Sequence, residues 1–190
     1  GPIVRDGGNG TEWRPENYDH EWLGVVTLRE AVASSRNIPA ILLAEQVGLA
    51  RLVDGWRDLG LSGATALPSA SLGAVGVTPL ELAEAYSVIA AGGVRLPPRL
   101  IDDVQGEDVI DFSMSGVESR RITSPGAAFL SQELLREAVR NGTGRSLVDA
   151  GLADNIGGKT GTTDEARDAW FAGVAGDVVV VVWVGFDQGD

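Results

Sequence analysis

Cysteine is absent from this 190-residue chain. Disulfides, thiolate metal sites and cysteine nucleophiles are therefore excluded. Histidine occurs once, as His20, which rules out an internal multi-histidine metal site and leaves little room for a histidine-based triad. His20 lies in the polar and aromatic stretch "NYDHEW" and reads as a surface or packing residue. Lysine is equally scarce: of 15 basic residues, Lys159 alone is not arginine. Against 27 acidic residues the formal net charge is −12. Nucleic acid and anionic lipid are recognised by clustered Lys and Arg, so neither is expected as a partner. Long apolar runs are also missing. The longest uninterrupted one, "VVVVVWVGF" from Val178 to Phe186, is about half of what a membrane-spanning helix needs, and no N-terminal signal pattern is seen. Neither a thiolate nor a multi-histidine metal site is expected.

What is present is ordinary globular material. Hydrophobic residues make up 44% and charged residues 22%, enough for one domain or two small subdomains. Residues 1–26 read as a loop punctuated by Gly, Pro, Asn and Asp. Thr27 and Glu30 form a capping box ahead of "LREAVASS". A break at "RNIP" separates it from "AILLAEQVG", and "LARLVDGWRDLG" follows. Thr78 and Pro79 open a strong helix that "GG" closes, with Leu80, Ala83, Tyr86 and Ala90 read as its core stripe. From Val94 the pattern shifts. "VRLPPRLIDDVQG" and "EDVIDFSM" read as short strands, Ser124 and Pro125 open another helix, and "DNIGGKTG", "DAWFAGVAG" and "VVVVVWVGF" read as three closing strands. The last has no polar alternation, the pattern of a strand buried on both faces. The expected organisation is a mainly helical part, 1–93, followed by strands and a helix, 94–190. The abrupt ends, "GPIVRDGG" and "GFDQGD", read as cut from a longer chain.

The stretch "NIGGKTGTTDEARDAWF" admits two chemistries. Gly158-Lys159-Thr160 matches the end of a phosphate-binding loop, and Asp187 after an apolar run mimics its magnesium ligand. The leading glycine would fall at Ala153, however. No convincing strand precedes the motif, and Gly161 interrupts the helix that should begin at Lys159. The other reading is Lys-Thr-Gly, one of three short motifs of β-lactam-reactive serine acyltransferases, alongside Ser-x-x-Lys and Ser-x-Asn. Ser35-Arg36-Asn37 supplies a Ser-x-Asn at a break between two helices.

The blocks "VTLREAVASSRNIPAILLAEQVGL", "SLGAVGVTPLELAEAYSVIAAGG", "RNGTGRS" and "GGKTGTTDEARDAWFAGV…VVVWVGFD" resemble, in order and spacing, the transpeptidase domain of bifunctional class A penicillin-binding proteins. The resemblance runs from about Trp13 to Asp187. It implies an α+β fold of the penicillin-binding and β-lactamase-like kind, an antiparallel sheet packed with a helical subdomain. It implies that Lys159, Thr160, Gly161 and Thr162 line one wall of a cleft. There the Thr160 and Thr162 hydroxyls would hold the carboxylate of a D-Ala-D-Ala stem peptide or of a β-lactam. The Thr162 N–H would be half of an oxyanion hole, and Gly161 would let the substrate backbone approach. On the opposite wall Ser35 would relay a proton to the leaving amine and Asn37 would hold a substrate amide.

The chain departs from the family at the nucleophile. Ser-x-x-Lys needs a serine three residues before a lysine, and before the only lysine stands Ile156. The resemblance implies that the nucleophile lies upstream of Gly1, with a glycosyltransferase domain and membrane anchor further upstream, on the extracytoplasmic side of the membrane. The chain by itself is then expected to be inactive. The alternative is a non-catalytic, penicillin-binding-like module that binds peptidoglycan or a cell-wall partner.

Overall fold

The structure, a computed structural model, describes residues 1–8, 10–101, 118–152, 155–163 and 167–186. Its architecture is α+β. The first stretch is not all loop: β1 (Arg5–Asp6) and β2 (Glu12–Trp13) form a short antiparallel ladder. Then come α1 (Leu28–Ala33), α2 (Asn37–Val47) and α3 (Leu49–Asp58), a 3-10 turn at Pro68–Leu72, and α4 (Pro79–Ala90). Strands β3 (Val94–Arg95) and β4 (Arg120–Arg121) pair antiparallel. The chain continues through α5 (Pro125–Asn141), a short α6 (Ser146–Asp149), and strands β5 (Ile156–Thr162), β6 (Ala169–Ala175) and β7 (Val178–Val184).

Local signals account for most of these boundaries. The Thr27–Glu30 and Thr78–Glu81 capping boxes are both formed, each satisfying N–H groups that a helix start leaves without partners. Ser124 caps α5 by accepting from the Ala127 N–H at 3.1 Å. Helix α2 begins three residues earlier than its apolar pattern suggests. Pro39 falls in its first turn, where a missing N–H removes no helical bond. The fully buried residues of α4 are Ala85 and Val88; of the expected stripe, Ala83, Tyr86 and Ala90 are half-buried and Leu80 is 48% exposed. The partner of the "VRLPP" strand is β4. The strand expected at 107–114 lies outside the described residues.

The described three-stranded sheet has order β5-β6-β7, all antiparallel. Helix α5 packs against β5, and α4 against β6 and β7. Ile41, Val88, Ala138 and Val139 are wholly buried at the centre. Strand β7 corrects the sequence reading. It is not buried on both faces: Val178, Val180, Val182 and Val184 are exposed, and Val179, Val181 and Trp183 are half-buried. It pairs only with β6 among the described strands, and one of its faces lies open.

Candidate active site

Two segments far apart in sequence meet at the β5 edge of the sheet. One is the connection from α1 to α2. Helix α1 ends at Ala33, and Ser35 turns the chain with φ of 54°, a left-handed conformation that non-glycine residues adopt only under constraint. The constraint comes from both sides. Backbone bonds run from Ser35 N–H to the Val32 carbonyl (3.2 Å) and from Arg36 N–H to the Ala31 carbonyl (2.8 Å). Beyond, Arg36 donates to both carboxylate oxygens of Asp19 at 2.6 Å. The Asp19 carboxyl is held below the usual range chiefly by the Glu21 backbone N–H, with Arg36 second.

No side chain of α2 caps its own start. Buried Asn17, from the N-terminal segment, does so instead. Its Oδ1 accepts from the N–H groups of Asn37 (3.1 Å) and Ile38 (3.4 Å), while its Nδ2 donates to the Glu21 carbonyl at 2.8 Å. Asn37 Nδ2 in turn donates to the Glu16 carbonyl at 2.7 Å. The Ser-x-Asn turn is thus clamped by residues 16–19, which its own sequence gives no sign of.

The other segment is β5. Lys159 reaches across to Ser35, donating from Nζ to its Oγ at 2.9 Å, and also to the Thr160 carbonyl (3.0 Å) and Thr143 Oγ1 (3.4 Å). All three acceptors are neutral, and burial lowers the Lys159 pKa from its ordinary value. Thr160 Oγ1 donates to Thr143 Oγ1 at 2.7 Å. Thr162 is exposed at the end of the strand, opposite Ala169. Among the described strands β5 has a partner on one side only, so its outer edge carries backbone groups available to an extended ligand. The glycines of β5 divide by purpose. A Cβ on Gly158 would lie 2.4 Å from the Phe171 ring, whereas one on Gly161 would meet nothing nearer than Trp170 Cβ at 3.4 Å. Internal packing therefore requires glycine at 158 and not at 161.

The structure brings Ser35, Lys159 and Thr160 into one hydrogen-bonded group, with Gly161 and Thr162 continuing along the same strand. The Asn37 side chain is held on the neighbouring turn. Thr143, in the turn after α5, was missed by motif reading. Its only trace in the sequence is the "RNGTGRS" block. The phosphate-loop reading fails on geometry, because Gly158, Lys159 and Thr160 lie inside a paired strand, with Lys159 opposite Ala172, and not at a helix start. Its Ala153 and Asp187 lie outside the described residues. Chemically, the site offers a lysine ammonium without a carboxylate partner among the described residues, a row of hydroxyls and an open strand edge. That combination suits an extended peptide bearing a carboxylate, with a lysine–serine proton path beside it.

Comparison with known proteins adds findings of three kinds. A family model described as the penicillin binding protein transpeptidase domain matches residues 4–190. The chain is 36% identical over 189 residues to penicillin-binding protein 1A of Neisseria cinerea, covering 96% of this chain and 24% of that protein. It is 34% identical over 182 residues to penicillin-binding protein 1B of Buchnera aphidicola, covering 95% of this chain and 24% of the relative. The chain thus spans about a quarter of the length of these relatives. In structure, it superposes on penicillin-binding protein 1A from Haemophilus influenzae with a TM-score of 0.85 at 27% identity, over 99% of this chain and 34% of that one. It also superposes on penicillin-binding protein A from M. tuberculosis, solved as an imipenem acyl-enzyme complex, with a TM-score of 0.77 at 26% identity, over 94% and 47%.

Proposed function

This chain belongs to the penicillin-binding protein transpeptidase domain family, and from that premise we propose that it forms one half of a serine D,D-transpeptidase site, the half that binds substrate and relays the proton. The observation that carries the reading is the 2.9 Å contact between Lys159 Nζ and Ser35 Oγ. It joins a Ser-x-Asn turn to a Lys-Thr-Gly strand, which is what acyl transfer from a stem peptide needs on either side of a cleft.

In this reading a serine from an upstream Ser-x-x-Lys segment attacks the carbonyl of the terminal D-Ala-D-Ala bond. A C–O ester bond forms and the C–N bond breaks. The proton lost by the serine reaches the leaving D-Ala nitrogen through Ser35, held by Lys159. An acceptor amine of a second stem peptide then takes the acyl group and the serine regains its proton. The Thr160 and Thr162 hydroxyls hold the substrate carboxylate, and the Thr162 N–H stabilises the oxyanion. Asn37 binds a substrate amide through its remaining oxygen. The space over Gly161, which internal packing leaves unused, receives the substrate backbone. A β-lactam carries a carboxylate and an acylating carbonyl and enters by the same route. The reaction requires no metal or organic cofactor. Its substrate, peptidoglycan, puts the site on the extracytoplasmic face of the bacterial membrane.

The test is intact mass after incubation with excess penicillin, run on the 190-residue chain and on its gene product including the upstream sequence. The longer form is expected to gain one penicillin mass and the chain alone none. A longer form that contains Ser-x-x-Lys yet stays unmodified would leave the non-catalytic binding module as the better reading. Acylation of the chain alone would refute the division of the site.

A further inference from the structure

We propose that Thr143 is a positioning residue that holds Lys159 and Thr160 in register with Ser35, an inference that rests on the acyl-transfer reading of this cleft. Its hydroxyl oxygen accepts from Lys159 Nζ at 3.4 Å and from Thr160 Oγ1 at 2.7 Å. Its backbone N–H donates to the Ala33 carbonyl at 3.1 Å. Ala33 is the last residue of α1 and lies two residues before Ser35. One residue is therefore bonded to β5 by its side chain and, by its backbone, to the end of α1 that leads into the Ser-x-Asn turn.

The support beneath Thr143 is closely packed. It follows α5, whose last turns bury Ala138 and Val139 completely, and the Gly144 N–H returns to the Ala138 carbonyl at 2.9 Å. The approach to α1 depends on Gly142. A Cβ there would lie 2.0 Å from the Ala33 carbonyl oxygen and 2.6 Å from its carbon, main-chain atoms that cannot swing aside. The Gly-Thr-Gly turn thus brings a hydroxyl between the walls at a separation that a side chain at 142 would prevent.

In the free chain the Thr143 oxygen accepts from both donors; a turn of the two hydroxyl rotors, with Thr143 donating to Thr160 Oγ1, leaves the Thr160 hydrogen for the substrate carboxylate. Without that oxygen, Lys159 keeps two of its three acceptors. The Thr160 hydroxyl then loses the partner that fixes its rotor beside the place assigned to the substrate carboxylate. Thr143 acts through these neighbours and needs no contact with substrate.

Two measurements decide the matter. Lys159 is the only lysine, so the chain made with ε-13C lysine gives a single lysine side-chain signal. Thr143→Val keeps the shape and removes the hydroxyl, whereas Thr143→Ser keeps the hydroxyl. The signal is expected to move in the valine variant and to return to its original position in the serine variant. A signal unmoved by Thr143→Val overturns the proposal. In the gene product carrying an upstream Ser-x-x-Lys, acylation is followed against fluorescent penicillin concentration. Thr143→Val is expected to raise the half-saturating concentration about tenfold, the scale of one lost hydrogen bond to a charged network, while the limiting rate stays near the parent's and Thr143→Ser restores binding. A variant that only folds less well labels a smaller fraction without shifting half-saturation, and that result also overturns the proposal. If the parent is not acylated while the lysine signal responds as expected, the acyl-transfer reading falls and the hold of Thr143 on Lys159 is upheld.

Discussion

At the scale of single residues, the candidate site centres on Lys159. It is the only lysine in a chain of net charge −12, and its recorded acceptors are three neutral oxygens. A partly buried ammonium with no carboxylate partner among the described residues leaves part of its desolvation uncompensated, which lowers its pKa. The consequence for stability has a definite sign. Between the lowered folded value and the ordinary 10.5, the unfolded chain binds more protons than the folded one. This group's contribution is therefore fully present above 10.5, is lost as pH falls through the folded value, and makes stability rise with pH across that window. Tyr86 acts oppositely, because burial pushes its pKa up from 10.0 to about 12. Its contribution is present below 10 and is lost as pH rises toward 12. Urea unfolding of the parent, Lys159→Gln and Tyr86→Phe, from neutral pH upward, separates the two. Lys159→Gln should remove the rising component, and an unchanged slope in that variant would refute the assignment. Motif spacing made Ser35, Asn37 and Lys159 legible because their types and intervals carry the signal. Thr143 was not legible, since its contacts reach back to α1 and forward to β5 and nothing local marks them.

At the scale of elements, the start of α2 shows what local rules can and cannot deliver. The capping boxes of α1 and α4 were readable because cap and partner lie three residues apart. Arg36 at the head of α2 offers no side-chain cap, and the oxygen that replaces it comes from Asn17, twenty positions upstream. The β1–β2 ladder and the pairing of β3 with β4 were hidden for a different reason: their strands are two residues each, too short for periodicity to register. Asn17→Ala leaves the N–H groups of Asn37 and Ile38 without their acceptor in a buried setting. Loss of a helix cap of this kind costs about 1–2 kcal/mol. Denaturant unfolding should report that loss, and acylation of the longer gene product should slow as well, because Asn17 also sets the turn that presents Ser35. Asn17→Asp, which retains an acceptor, should recover much of the stability. If Asn17→Ala unfolds at the parent's denaturant concentration, the remote cap contributes nothing.

At the scale of the whole molecule, one face of β7 presents a row of exposed valines. Continuous valine from Val178 to Val182 suggested burial on both faces, because composition alone cannot say what lies on either side of a strand. The structure leaves Val178, Val180, Val182 and Val184 between 45% and 67% exposed, on a strand with one partner among those described. An open apolar face beside a free strand edge favours self-association, while a net charge of −12 opposes it by mutual repulsion. Substitutions at Val180 distinguish the two influences. Val180→Glu adds to the net negative charge and Val180→Lys reduces it, yet each places a charge on the same face. If the apolar face drives association, both variants should lower light scattering and the fraction of larger species in sedimentation, with folding stability within about 1 kcal/mol of the parent. If only the glutamate variant improves matters and the lysine variant worsens them, net repulsion is the controlling term and the β7 face is not the site of self-association.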